Sequence, residues 1–220
     1  MSGRMSIRVV TIRMIDTLPT ICYDAEKEEC PMSKPLSEMT LQELWTLFPI
    51  ILTAPDARWP LWYQEEERLL QSVLPGEYAL RIRHIGSTAI RGIWAKPIVD
   101  ILVEAAPGAD LSAADEALAR AGYRCMSTGD SRRSYNKGYT EEGFAEKVFH
   151  LHLTHLGEQK EVVFRDYLNA HPVEAKAYEA LKLSLWRPFE HDRDGYTSAK
   201  TGFVEEILQR AKEENTAMDR

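Results

Sequence analysis

Apolar residues along the chain fall into helical and strand-like spacings, separated by Pro and Gly breakers. Thr40-x-x-Glu43 is a capping box that opens an apolar helix through Leu41, Leu44, Trp45 and Leu47, and Pro49 closes it. Asp56 can cap a second helix running through Trp59, Trp62, Tyr63, Leu69, Leu70 and Val73, ended by Pro75-Gly76. Tyr78 to Ile85 is extended in pattern, with Leu80, Ile82 and His84 on one face and Arg81 and Arg83 on the other. Pro97 to Val103 is a short apolar run holding one acid, Asp100, and reads as a buried strand. A helix over 110–121 with Gly122 at its end and a strand over 123–127 follow. Residues 129–146, rich in Gly, Arg, Lys and Ser, read as a long loop or an irregular hairpin, whereas Val148 to Thr154 alternates strictly. From Glu161 onward three helical pieces are predicted, 161–170, 172–186 and about 196–213. His171-Pro172 and the segment Pro188 to Gly195 separate them. The order predicts an α/β (α+β) domain: a small mixed sheet, flanking helices and a helical carboxy-terminal part.

The first thirty-one residues stand apart. They hold one alternating stretch, Ile7 to Ile15, and an acidic segment ending at Cys30-Pro31, directly before a second methionine, Met32. The expected division is an amino-terminal extension over 1–31 and a single functional domain over 32–220. The whole chain has 27 basic and 34 acidic residues, a net charge of −7. Broad nucleic-acid binding needs a basic face and is not expected of so acidic a chain. No apolar run approaches the roughly 18–20 residues of a membrane helix. Three cysteines, Cys22, Cys30 and Cys125, show no metal-ligand spacing and cannot all pair, which favours a reduced, cytoplasmic setting.

Candidate chemistry centres on His84-Ile85-Gly86-Ser87-Thr88, followed by Lys96-Pro97-Ile98-Val99-Asp100. A strand ending in Gly-Ser at the start of a short helix offers backbone N–H groups and a hydroxyl to an anion, and Gly permits close approach. A carboxylate such as Asp100 inside an apolar strand is costly to desolvate unless it is paired or holds a metal. Lys96 can supply positive charge to a phosphate. A phosphate cradle with a strand carboxylate is the minimum for Mg²⁺-assisted nucleotide chemistry.

This run resembles the GrpB family, which is similar to the nucleotidyltransferase superfamily. The resemblance extends to Arg132-Arg133, Lys137-Gly138-Tyr139-Thr140, Phe149-His150-Leu151-His152-Leu153, Phe164-Arg165-Asp166-Tyr167-Leu168, His171-Pro172, and Tyr196 with Lys200, about residues 40–210. It implies a nucleotidyltransferase-like fold and carries no demonstrated reaction. Active nucleotidyltransferases place two acids on the strand and a third on a neighbour; here Leu102 takes the second place, and Val148 to Thr154 offers His150 and His152 instead. One Asp and an imidazole can hold one metal weakly, so the expected metal ligands are Asp100 and His152, with Mg²⁺ the cofactor. The His150-x-His152 spacing also resembles the metal motif of metallo-β-lactamase-like hydrolases, but Thr154 stands where that motif has an acid.

Among the basic residues Arg132, Arg133, Lys137, Lys182 and Lys200, the ones assigned here to phosphate are Arg133 and Lys200, beside His84, Gly86, Ser87 and Lys96. Phe164, Tyr167, Leu168, Tyr178, Leu181, Leu185, Trp186, Trp59 and Trp62 are expected in the core, and Glu65-Glu66-Glu67 on a solvated helix face. The expected function is Mg²⁺-dependent binding of a nucleoside triphosphate, Asp100 serving any nucleotidyl transfer to a small acceptor. The ligand is otherwise another phosphorylated small molecule, and no membrane partner is expected. The competing class, favoured by Leu102, is a non-catalytic accessory or interaction module with a degenerate metal site.

Overall fold

The computed structural model describes residues 34–78, 80–157 and 159–218, so the run Ile7 to Ile15 and the boundary near Met32 lie outside the described residues. The helices are α1 Leu41–Leu47, α2 Arg58–Val73, α3 Asp115–Arg120, α4 Lys160–Ala170, α5 Pro172–Trp186, α6 Arg193–Ser198 and α7 Thr201–Met218. The strands are β1 Arg81–Ile85, β2 Val99–Ala105, β3 Arg124–Thr128, β4 Arg132–Thr140 and β5 Gly143–His155. They form one mixed sheet of order β1-β2-β5-β4-β3, in which β2 and β5 run parallel and the other pairs antiparallel. This is the expected α/β arrangement, a small mixed sheet with helices around it and a helical carboxy-terminal part.

The capping box forms: the Thr40 hydroxyl accepts from Glu43 N and the Glu43 carboxylate from Thr40 N. Asp56 sits one residue further from its helix than expected, accepting from Arg58 N at 2.8 Å, while Ala57 occupies the cap. One face of the sheet carries Val99, Ile101 and Val103 of β2 with Leu151 and Leu153 of β5, packed under Trp59, Trp62 and Leu70 of α2 and Leu118 of α3. Val99, Ile101, Leu102 and Val103 are fully buried, each contributing about 1.5–3 kcal/mol of burial. The opposite face is covered from α4 onward, where Phe164, Leu168, Tyr178 and Ile207 close a second cluster over Ile90 and Ile93.

Two segments depart from the pattern reading, Glu66 and the helix over 196–213. Residues 129–146 form the irregular hairpin rather than the long loop, with β4 and β5 joined by a turn at 141–142. Within it Gly138 sits at φ +88° in a bulge, and a Cβ there would lie 2.2 Å from the Lys147 carbonyl oxygen. Glu66 is buried, not solvated, because β4 passes beneath α2 and brings Lys137 Nζ to 2.7 Å from its carboxylate. The helix over 196–213 is two helices: Asp192 caps Gly195 N at 2.8 Å to start α6, and the chain breaks before α7, leaving Lys200 at the junction.

Candidate functional site

Register decides which side chains share the site. On β2 the even positions Asp100, Leu102 and Glu104 face away from the α2 side of the sheet, and parallel pairing sets Asp100 opposite His150 and Leu102 opposite His152. Asp100 lies at the end of β2 nearest the Gly86 turn, because Ile85 is its antiparallel partner. Gly86 has φ +71°, and a Cβ on it would fall 2.1 Å from Asp100 Oδ2. The close approach that glycine permits here is to the carboxylate itself. Ser87–Ala89 forms a single 3₁₀ turn, so no extended helix dipole aims at the cleft.

Asp100 borders a cavity of about 320 Å³ lined also by Ser87, Lys96, Lys182, Arg193 and Lys200. The cations come from separate pieces of chain: Lys96 precedes β2, Lys182 lies on α5, Arg193 begins α6 and Lys200 follows it. Each is held. Lys96 and Lys200 place their ammonium groups 4.6 and 4.3 Å from the centre of the buried Tyr196 ring. Lys182, only 2% exposed, donates to the Trp94 carbonyl. Arg193 Nη2 donates to Tyr139 Oη at 2.9 Å. That hydroxyl meets His150 Nε2 at 2.7 Å, and His150 Nδ1 is 3.2 Å from Asp100 Oδ1. An ionised Asp100 assigns the imidazole proton to Nδ1, so Tyr139 donates to Nε2.

Burial depresses the lysines. Lys96 falls to about 7, through desolvation reinforced by Arg193 and Lys200, and Lys182 to about 7 through desolvation and Lys200. Lys200 falls to about 8, desolvation prevailing over the attraction of Asp100. Asp100 moves the other way from a lone buried acid: burial pushes its carboxyl up, but the hydrogen bond and charge of His150, then His152 and Lys96, hold it below the usual range. Four cationic side chains thus surround one carboxylate, with the exposed Asp194 the other acid in the lining. Such a surplus of desolvated positive charge is suited to a multiply charged anion.

Of the residues assigned from sequence, Gly86, Ser87, Lys96, Asp100 and Lys200 come together at this cleft. His84 does not join them. It alternates to the α2 side, where it stacks on Tyr63 with ring centres 4.9 Å apart and meets Thr88 Oγ1 at 3.0 Å. Arg133 also lies on that other side, bound to Asp115 Oδ1 at 3.0 Å from Nε, because it follows β4 in register with Leu153. His152 is on the Asp100 side but one register step along, with Nδ1 3.1 Å from Ser134 Oγ; His150, not His152, touches Asp100. Arg132 pairs with Glu161 at 2.7 Å, and Lys137 with Glu66. Arg193 carries no signal in the sequence, since Pro188 to Gly195 reads as a linker, and Tyr139 stands there within a family-like block with no role attached.

Residues 49–210 match the family described as GrpB protein. The chain belongs to the GrpB family. Its relatives include the glutamate-rich protein GrpB of Alkalihalophilus pseudofirmus, 36% identical over 168 residues, covering 72% of this chain and 94% of that protein. A UPF0157 protein of Deinococcus radiodurans is 38% identical over 165 residues, covering 74% and 82%. Dephospho-CoA kinase of Mycolicibacterium paratuberculosis is 30% identical over 191 residues, covering 74% of this chain and 46% of that protein. Among solved structures, conserved protein GrpB from Enterococcus faecalis superposes with TM-score 0.66 at 27% identity, over 75% of this chain and 99% of that one. That superposition agrees with membership of the GrpB family. No helix among the described residues is long and apolar enough to cross a membrane.

Proposed function

We propose that this GrpB-family protein binds a nucleoside triphosphate, or a phosphorylated small molecule of similar charge, in the cleft beside Asp100. The observation that carries the reading is the convergence of Lys96, Lys182, Lys200 and Arg193 on one cavity against so few acids. The likeness to a protein named as a kinase of dephospho-CoA adds support for a phosphorylated, nucleotide-type ligand. In this reading the Ser87 hydroxyl and the lysine ammonium groups hold the phosphates. The Asp100 carboxylate balances the ammonium groups when the cleft is free and fixes His150 and, through it, Tyr139.

Nucleotidyl transfer to a small acceptor is the reaction the superfamily resemblance implies, with Mg²⁺ as cofactor and Asp100 as its ligand. The donor set does not fit that arrangement. Among the described residues no three His, Cys, Asp or Glu side chains converge as metal ligands. Leu102, at the place of the second acid, is fully buried against Ile85 and Val162. That burial favours the second reading, a binding module that retains the cleft without transfer chemistry.

The test is thermal unfolding of the full chain with ATP, GTP, CTP, UTP and pyrophosphate, each with and without Mg²⁺. A ligand at about 100 times its Kd adds about 2.7 kcal/mol, a rise of about 5–10 °C at this size. The same ligand should give no rise in a Lys200→Ala, Arg193→Ala double variant. Silence from all five probes refutes the reading. Pyrophosphate release from a bound triphosphate, supplied with candidate hydroxyl acceptors, separates an enzyme from a binding module.

A further inference from the structure

The same cleft says more about the form of its ligand. Resting on the polyphosphate reading above, we infer that the cleft takes its ligand free of divalent metal, with Lys96, Lys182, Lys200 and Arg193 supplying the positive charge that two Mg²⁺ ions supply in a two-metal nucleotide site. The ligand class is then a polyphosphate ester in its fully ionised form, not its Mg²⁺ complex.

The acids that could hold metal are dispersed. Asp100 Oδ1 faces the His150 imidazole at 3.2 Å, and Oδ2 crowds Gly86, where a Cβ would fall 2.1 Å from it. Leu102 removes the next carboxylate on that face of the strand, and Glu104, the one after, is fully buried beyond it. Glu104 Oε2 is 3.2 Å from Arg83 Nε, and its Oε1 accepts from Gly157 N at 3.3 Å. On the neighbouring strand His152 turns to Ser134. The remaining acid, Asp194, is exposed at the rim.

The cations, by contrast, are built in. Fully protonated, as a bound polyanion favours, these four side chains supply up to the +4 of two Mg²⁺ ions, and they are positioned by Tyr196, the Trp94 carbonyl and Tyr139 before any ligand arrives. A hydrated Mg²⁺ entering beside them meets like charge in a partly desolvated cavity, where repulsion is weakly screened. It also demands near-octahedral oxygen ligands, which this lining does not gather. A triphosphate carries about four negative charges above neutral pH, since its terminal group ionises near pH 6, and Mg²⁺ cancels half of them. Metal and lysines therefore compete for the same phosphate charge.

The experiment is isothermal titration of the full chain with ATP, and separately with pyrophosphate, at pH 7.5 and constant ionic strength. One arm contains EDTA and the other excess Mg²⁺. The expected result is binding about tenfold or more tighter in EDTA, equivalent to about 1.4 kcal/mol. Lys200→Gln should weaken binding in EDTA, and Mg²⁺ should not restore it. Equal or tighter binding with Mg²⁺, or rescue of Lys200→Gln by Mg²⁺, overturns the inference and leaves the polyphosphate reading standing. No heat with either probe in either arm refutes the polyphosphate reading itself, and the inference with it.

Discussion

Replacing Asp100 with Asn separates a metal-ligand role from an electrostatic one, because the two give opposite signs. The side chain keeps its volume and can still accept from His150 Nδ1, while the half-buried carboxylate charge inside the cation cluster disappears. Free-protein stability should fall. A charge-assisted hydrogen bond is worth about 1.5–3 kcal/mol, and Asp100 keeps 26% of its side-chain surface exposed, so the lower end, about 1.5–2 kcal/mol, applies. The lysines limit the loss further, since at about 7 Lys96 and Lys182 can shed protons once their counter-charge is gone. For a domain of this size the melting temperature should drop by about 3–8 °C. ATP affinity in EDTA should rise at the same time, by about tenfold, because a carboxylate that repels the phosphates has been removed. Because Asp100 in the wild type is held below the usual carboxylate range, it is fully ionised at neutral pH and the comparison is of one charge against none. Differential scanning fluorimetry and calorimetric titration on the same preparation read both quantities. An Asp100→Asn protein that keeps its fold and loses ATP affinity would refute the electrostatic account and restore the carboxylate as a ligand-binding group.

Two further outcomes follow from the same geometry. Leu102→Asp should not create a metal site: Leu102 is sealed between Ile85 and Val162, and its register neighbours Arg83 and His152 are already engaged with Glu104 and Ser134, so a carboxylate there is desolvated and the variant should lose about 3–5 kcal/mol in urea unfolding. Wild-type stability in that variant, with new Mg²⁺ binding, contradicts the packing argument. Between pH 7 and 9 the free protein should become more stable, while ATP binding weakens. Lys96 and Lys182 titrate at about 7 and Lys200 at about 8 when folded, whereas unfolded lysines hold their protons to about 10.4. The unfolded chain then binds more protons throughout this window, so unfolding free energy rises with pH. Loss of the same protons removes the charges that attract the ligand. Melting temperatures and titrations across the range check both slopes, and flat or rising ATP affinity refutes the assignment of the lysines to the anion.

Much of the architecture is legible in one dimension because it rests on local rules. The Thr40–Glu43 capping box, the buried run carrying Asp100 and the alternation from Val148 to Thr154 each form the element their pattern predicts. Composition leaves residues 129–146 open between a loop and a hairpin, because the ladder partners that decide it lie across the sheet and composition reports only polarity. Glu66 misleads for the same reason: three glutamates on a helix look solvated until β4 brings Lys137 underneath.

The site divides along the same line. Gly86, Ser87, Lys96 and Asp100 lie within one strand–turn–strand stretch, and their spacing alone brings them together. His84 and Arg133 look equally suitable in sequence, but strand alternation turns both to the α2 side, and a one-residue difference in register exchanges a ligand position for a core one. Lys182, Arg193 and Lys200 reach the cleft only because α5, α6 and the junction before α7 fold over one end of the sheet. The sequence by itself determined most of the elements, the Gly86 turn and the lone carboxylate of Asp100, since these depend on neighbours along the chain. Tertiary structure decided which cations surround that carboxylate and which acids are sealed away. Charge density and burial are properties of residues far apart in sequence, and they exist only once the chain has closed around them.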